Sequence, residues 1–222
     1  MKSIKLVFIF IALSISTLAN ASFITNDDID VINVYIPDGY VLDTTPASTT
    51  TDSTVLLFDS VVQRKLSKGG TGAFRVTRDK DGAVISDTNA VFIEIELNRL
   101  VNIKTFSIFN DGLANPNEQV TEIGLKLLND VEVLFMDIFN NFYVAPTLDG
   151  SGPNPWLEQS IANFGDGING VNRIMIALTD AQNDREIEIR ELRFSIEEYK
   201  ASAPAAVLLF MASLLFMLRR KK

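Results

Sequence analysis

Two glutamates lie on a segment in which apolar and polar residues alternate strictly. Glu94 and Glu96 share the polar face of a predicted strand, whose other face holds Val91, Ile93, Ile95 and Leu97. Carboxylates two residues apart on a strand are separated by about 7 Å, which is within the range of glycosidase carboxylate pairs. Adjacent glutamates on a solvated sheet face give the same pattern, so a glycan hydrolase and a plain surface both remain open.

Two short segments combine carboxylates, amides and glycines as calcium-binding loops do. Residues 163–172 read NFGDGINGVN, in which Asp166 and Asn169 are the candidate oxygen ligands. Residues 78–84 read RDKDGAV, in which Asp79-Lys80-Asp81-Gly82 is more simply explained as a hairpin turn. Neither segment has the twelve-residue spacing of an EF-hand. A structural Ca²⁺ is the only cofactor that the sequence suggests.

The only tryptophan, Trp156, lies in the Gly/Pro-rich stretch LDGSGPNPWLEQS, which predicts a surface loop. An exposed indole ring could stack on a sugar and donate a hydrogen bond, so Trp156 is the candidate ligand-binding residue. Alternatively, Trp156 folds back with Leu157 and closes the end of the domain.

Composition excludes several classes of function. The 222 residues include no His and no Cys, which removes Ser-His-Asp and Cys-His catalysis, His-ligated zinc and disulfides. The body, residues 22–200, carries 14 Lys and Arg against 28 Asp and Glu, a net charge of −14. Such a surface repels phosphate backbones, so nucleic acid is not an expected partner.

Short alternating segments separated by turns predict an all-β domain, a single sandwich of the jelly-roll type. After the glutamate strand, NIKTFSIFN continues the pattern, with Ile103 placed on the face of Thr105. VNRIMIAL and REIEIRELRFSIEEY predict two long antiparallel strands joined by the turn TDAQND. In the last strand the apolar positions change phase, which predicts a β-bulge near Arg190-Glu191. VEVLFMDIFNNFYV predicts another strand, and STVLLFDSVVQRKL fits a strand or a short helix.

Both ends of the chain look like targeting segments. The N-terminus has Lys2, Lys5, an apolar stretch and then Ala19-Asn20-Ala21, the small-x-small pattern read by signal peptidase. This pattern predicts a signal peptide over 1–21, with a retained anchor as the alternative. At the C-terminus, residues 201–222 hold a short apolar run followed by the cations Arg219, Arg220, Lys221 and Lys222.

The C-terminal segment resembles the PEP-CTERM sorting signal of Gram-negative bacteria, with Ser202-Ala203-Pro204 in the place of Pro-Glu-Pro. The resemblance implies a second partner, an exosortase-type membrane enzyme. It also implies transient anchoring in the inner membrane and then transfer to the cell surface or extracellular matrix. A plain C-terminal membrane anchor is the alternative.

The order of strands over residues 55–199 is similar to the discoidin-like, galactose-binding-like sandwich. The similarity is carried by FIEIEL, by VNIKTFSIFN ending in Asn110-Asp111-Gly112, and by IEIRELRFS. In that family, ligands and often a structural Ca²⁺ occupy loops at one end. The resulting hypothesis is an exported, non-enzymatic protein that adheres to extracellular polysaccharide. The alternatives are a structural envelope or matrix protein and a carboxylate-based hydrolase.

Overall fold

The computed structural model describes residues 22–42, 53–61, 73–78, 90–110, 119–130, 132–136, 143–145, 157–181 and 186–199. In these ranges the regular structure consists of strands and two short 3₁₀ helices, Asn26–Asp28 and Ser53–Leu56. The predicted all-β fold is therefore confirmed. The strands are β1 (Ser22–Phe23), β2 (Ile29–Tyr35), β3 (Tyr40–Leu42), β4 (Phe74–Arg78), β5 (Val91–Asn110), β6 (Val120–Leu128), β7 (Val133–Met136), β8 (Tyr143–Val144), β9 (Gln159–Ala181) and β10 (Glu186–Glu198).

The described strands are joined by antiparallel ladders in the order β3-β4-β10-β5-β9-β6-β7. Three strands lie beside this path: β1 pairs with β10, β2 with β5, and β8 with β6. The long strands β5 and β9 lie next to each other at the centre. They therefore connect strands β3, β4 and β10 on one side of the strand order with β6 and β7 on the other.

Strand β5 cannot be straight. Val91 pairs with Leu178, and Asn110, nineteen residues later, pairs with Ile189. A straight strand would separate Val91 from Asn110 by about 60 Å. Only eleven residues lead from Leu178 to Ile189, and they span at most about 40 Å when fully extended. The ladder therefore folds over on itself, and one continuous set of strands forms the two layers of a sandwich.

Extra residues mark where the two long strands bend. Between the pairs Glu96↔Arg173 and Val101↔Val171, β5 has four intervening residues and β9 has one. Between the pairs Thr105↔Asn163 and Ile103↔Ile168 the difference is reversed, because β9 has four intervening residues and β5 has one. Unequal lengths opposite each other are β-bulges, which bend and twist a strand. Left-handed glycines let the backbone make the turn in β9, at Gly165 (φ 60°) and Gly167 (φ 92°).

We call the two layers the first sheet and the second sheet. The first contains β2, β6, β7, β8, residues 91–97 of β5 and residues 173–181 of β9. The second contains β1, β3, β4, β10, residues 101–110 of β5 and residues 159–171 of β9. Their inner faces form one apolar cluster that includes residues of both sheets, such as Ile93, Ile176, Phe106 and Phe194.

The register explains the segregation of apolar and polar residues in the first sheet. Ile93 and Ile95 face Ile176 and Ile174 of β9 and are fully buried. On the outer side of the sheet, Glu94 lies opposite Met175 and Glu96 lies opposite Arg173. The predicted alternation of this strand is confirmed, because opposite residues of an antiparallel pair lie on the same face.

Two predictions about the last strands have different outcomes. The bulge near Arg190-Glu191 is confirmed, since the β10 ladder shifts register between Ile189 and Glu191. The expected pair of final strands is wrong: β9 and β10 exist, but both pair with β5, one on each side. In the second sheet β10 and the first half of β9 are both antiparallel to β5, so these two segments run parallel to each other. The bend of β5 allows the short connection between them.

Three further segments compare differently with the sequence-based expectations. Ile103 is buried on the inner face with Phe106 rather than sharing the face of Thr105, because the register shifts between Ile103 and Thr105. The segment that fits a strand or a short helix begins with a short 3₁₀ helix, in agreement with the second alternative, and the next residues, Leu57 and Phe58, are buried in the core. The strand predicted from residue 131 onward is present as two short strands, β7 and β8.

Asp28 makes the first 3₁₀ helix sensitive to pH. Burial alone would raise the pKa of its carboxyl, but hydrogen bonds from Arg99 and Thr25 outweigh burial and hold the pKa below its ordinary 3.8. A lowered pKa stabilises the fold above the unfolded-state pKa, and this contribution is lost as the pH falls through the folded-state pKa. We expect Asp28→Asn to cost about 1 kcal/mol at pH 7.

This expectation can be checked by urea unfolding at a series of pH values. The difference between wild type and Asp28→Asn should shrink as the pH falls below 3.8. The exposed Asp30 provides the control, because Asp30→Asn should change stability by less than about 0.5 kcal/mol. A difference between wild type and Asp28→Asn that stays constant with pH would contradict the assignment.

Candidate functional site

The chain enters the second sheet directly after the predicted ligand-binding tryptophan. Trp156 lies outside the described residues, but its neighbours Leu157 and Glu158 are described and precede β9. Leu157 is 54% exposed. The Glu158 carboxylate accepts hydrogen bonds from Ser107 Oγ at 2.5 Å and from Arg193 Nη1 at 3.4 Å. Two strands, β5 and β10, therefore hold this carboxylate in place.

Arg193 is itself fixed from several sides. Its guanidinium carbon lies 4.9 Å from the ring centroid of Phe23 and 4.6 Å from that of Phe109. The same group donates to Glu191 Oε1 through Nη2 at 2.9 Å and through Nε at 3.1 Å. A planar guanidinium suits both contacts, because it stacks on aromatic faces and presents donors in its own plane. Arg193 is therefore a rigid support for Glu158.

We call Phe23, Leu157, Glu158 and Arg193 the Glu158 surface. The Glu158 side chain is 43% exposed, and Phe23 is 48% exposed. An ionised carboxylate has about four acceptor positions, so Glu158 can still accept hydrogen bonds from a ligand. The exposed ring of Phe23, which packs on Arg193, and the exposed side chain of Leu157 can cover a C–H face. Hydroxyl groups on an otherwise apolar ring match this combination, and such rings are found in saccharides.

The glutamates of the first sheet lie on its outer face, as predicted. Tyr35 OH donates to Glu94 Oε2 at 3.1 Å, and Arg173 Nη1 lies 3.7 Å from Glu94 Oε1. The hydrogen bond to Glu94 raises the pKa of the Tyr35 hydroxyl above its ordinary 10.0, so the hydroxyl remains a donor at neutral pH. The Glu94 carboxylate thus accepts a hydrogen bond from a hydroxyl and pairs with a guanidinium on the outer face. These contacts provide no positive sign of catalysis.

The candidate calcium ligands lie in the bulged part of β9. Asp166 and Asn169 are exposed, and the main-chain carbonyl of Asp166 accepts hydrogen bonds from Lys104 Nζ at 2.8 Å and Asn102 Nδ2 at 3.3 Å. Lys104 also pairs with Glu197 at 3.3 Å. The Asp166 carbonyl, a possible calcium ligand, therefore already accepts a hydrogen bond from the ammonium group of Lys104. In the described ranges no group of three or more Asp, Glu, His or Cys side chains is arranged to hold a metal, and Ca²⁺ stays a prediction.

The remaining sequence-based sites lie outside the described residues. These are the second calcium candidate from Asp79 onward, Ala19 and Ala21 of the signal peptide, the Ser202-Ala203-Pro204 motif, and the cations Arg219, Arg220, Lys221 and Lys222. Among the residues that are described, no helix has both the length and the apolar character needed to cross a membrane.

No protein-family model and no curated protein matches this sequence. Several solved structures are similar to it at low sequence identity. The F5/8 type C domain of a Bacteroides fragilis protein is 12% identical, with 81% of this chain and 98% of that chain covered and a TM-score of 0.48. The C-terminal domain of a B. fragilis chitobiase is 10% identical, with coverage of 81% and 100% and a TM-score of 0.47.

A third match is the family 32 CBM of Clostridium perfringens NanJ in complex with galactose. It is 12% identical, with 74% of this chain and 92% of that chain covered and a TM-score of 0.43. These domains are of the discoidin-like type that the sequence resembles. No binding residue transfers from those domains to this chain.

Proposed function

We propose that this chain is an exported, non-enzymatic domain that binds extracellular polysaccharide through the Glu158 surface. The observation that carries the proposal is a fixed, half-exposed carboxylate whose partner Arg193 also packs on the exposed ring of Phe23, with the exposed Leu157 next to Glu158 in the chain. Its position is set by Ser107 and Arg193 before any ligand arrives. Preorganised polar groups lose little conformational entropy on binding. Trp156, adjacent to Leu157, would add a stacking ring.

The terminal segments supply the cellular part of the proposal. Signal peptidase would remove residues 1–21, and an exosortase-type enzyme would process the chain near Ser202-Ala203-Pro204. The domain would then reach the cell surface or the extracellular matrix. Its net charge of −14 over residues 22–200 favours neutral polymers over anionic ones.

Replacing Glu158 tests the binding proposal. The probe is deproteinised polysaccharide from the extracellular matrix of the producing bacterium, and binding of the full-length chain in a mild detergent is followed by Trp156 fluorescence and by retention on the polymer. A hydrogen bond to a charged group contributes about 1.5–3 kcal/mol. We therefore expect Glu158→Gln to weaken binding about tenfold or more.

The matched control is Glu132→Gln, which removes an exposed carboxylate in the turn before β7. This variant should bind as the wild type does. Phe23→Ala should weaken binding through loss of the apolar contact. If wild type shows no retention on any matrix polysaccharide, or if Glu158→Gln and Glu132→Gln bind equally, the proposal fails and a structural role without ligand becomes the better hypothesis.

A further inference from the structure

Strand β2 forms an open edge of the first sheet. Among the described strands it pairs only with β5, from Ile29↔Leu97 to Tyr35↔Phe92. Val31 is 40% exposed and Tyr35 is 54% exposed. The other edge strands described, such as β3 and β8, are only three and two residues long. Strand β2 is therefore the longest described strand that pairs with a single neighbouring strand.

The sequence of this edge is unusual for the protein that carries it. Residues 31–36 read VINVYI and contain no charge, no Gly and no Pro, whereas the body has a net charge of −14. Edge strands are ordinarily protected by charges, prolines or bulges, since an uncharged β-branched edge pairs readily with another chain. Here a bulge protects only the start of the strand, where the register shifts between Ile29 and Val31.

We propose that two copies of the chain associate through antiparallel pairing of their β2 strands, with the two-fold axis at Asn33. In this register Val31 lies opposite Tyr35 of the second copy, and Ile32 lies opposite Val34. Asn33 lies opposite its own counterpart. Aromatic and β-branched pairs across strands each contribute about 0.2–1 kcal/mol. The first sheets of the two copies then form one continuous sheet.

Self-complementarity identifies the occupant as a second copy. The register places apolar residues against apolar residues on both faces of β2, and Asp30 lies opposite Ile36, so no like charges are opposed. Two acidic bodies repel each other, and repulsion is least where the contacting strands carry no charge. Pairing about a two-fold axis occupies the β2 edges of both copies, so neither edge is left for a third copy. The association therefore closes at a dimer.

Dimerisation would double the number of binding surfaces. On the proposed function, each dimer presents two copies of the Glu158 surface to the same polymer. Two linked sites bind a repeating ligand more tightly than one, without any new contact. The pairing itself requires no ligand, so it can be tested independently of polysaccharide binding.

The absence of native Cys makes a single-cysteine test direct. Opposite Cα atoms of an antiparallel pair are about 4.5–5.5 Å apart, which is within disulfide range. We expect Asn33→Cys in the full-length chain to give a disulfide-linked dimer under air oxidation. In Tyr35→Cys the two thiols would be four positions out of register, about 13 Å apart along the strand, and should not cross-link.

Sedimentation provides the second measurement, with Asn33→Lys as the variant. Asn33 is on the outer face of the sheet, opposite Glu94, so a lysine there can reach water without entering the core. The wild type should sediment as a dimer at micromolar concentration, and Asn33→Lys as a folded monomer. A wild type that is monomeric throughout overturns the proposal. Equal cross-linking of the two cysteine variants, or a ladder of higher oligomers, also overturns it.

Discussion

Gly167→Ala is expected to destabilise the protein by about 3 kcal/mol, because two penalties act at one position. The backbone φ of Gly167 is 92°, a conformation that side-chain-bearing residues rarely adopt. A Cβ atom there would lie 2.2 Å from Asn102 Oδ1 and 2.9 Å from Lys104 Cδ. Asn102 is 7% exposed and donates to the Asp166 carbonyl, so it has little room to move. Chemical denaturation measures the loss.

Gly165→Ala is the matched control for this prediction. Gly165 also has a positive φ, at 60°, but a Cβ atom there meets nothing within 4 Å. Only the cost of the left-handed conformation remains, about 1 kcal/mol. The gap between the two variants thus reports the steric contact with Asn102 and Lys104. Equal losses would show that the bulge of β9 can shift to accommodate a methyl group.

Phe194→Ala is expected to cost about 4 kcal/mol. Phe194 is fully buried, and its ring stacks on that of Phe106 with centroids 4.4 Å apart and an interplanar angle of 6°. The two residues are opposite each other on β10 and β5. Removing one ring leaves a cavity in the shared core, and rigid strands on both sides cannot close it.

The control is Phe23→Ala, which removes a ring that is 48% exposed and packs on Arg193. It should cost less than about 1 kcal/mol. Unfolding of Phe106→Ala and of the double variant with Phe194→Ala then gives the coupling between the rings. Similar losses for Phe194→Ala and Phe23→Ala would contradict the assignment of Phe194 to the core.

The sequence predicts those features of the fold that local periodicity determines. The alternation around Glu94 and the phase change at Arg190-Glu191 are visible in the residues themselves, and both predictions are confirmed. The pairing of β9 and β10 was predicted wrongly, because two strands close in sequence usually form a hairpin. The bulges that bend β5 and β9 reverse this expectation, and their effect depends on the partner strand.

The candidate site is predictable only in part. Trp156 predicts a binding site just before β9, but the sequence analysis did not predict a role for Glu158, which lies two residues further on. Its partners Ser107 and Arg193 come from segments 51 and 35 residues away, and Phe23 comes from the first strand. Contacts over such separations depend on strand order, which local patterns do not specify. One signal was available, a carboxylate following the tryptophan at the entrance to a strand.

The passage of β5 and β9 through both sheets has a consequence for unfolding. In many sandwiches the layers are joined only by loops, so one layer can loosen while the other persists. Here each long strand has one half in each layer, and the layers cannot separate without breaking ladders at the centre of both. The chain has no disulfides, and these two strands serve as the ties between its layers. Amide hydrogens of both layers should therefore exchange with one common free energy of opening.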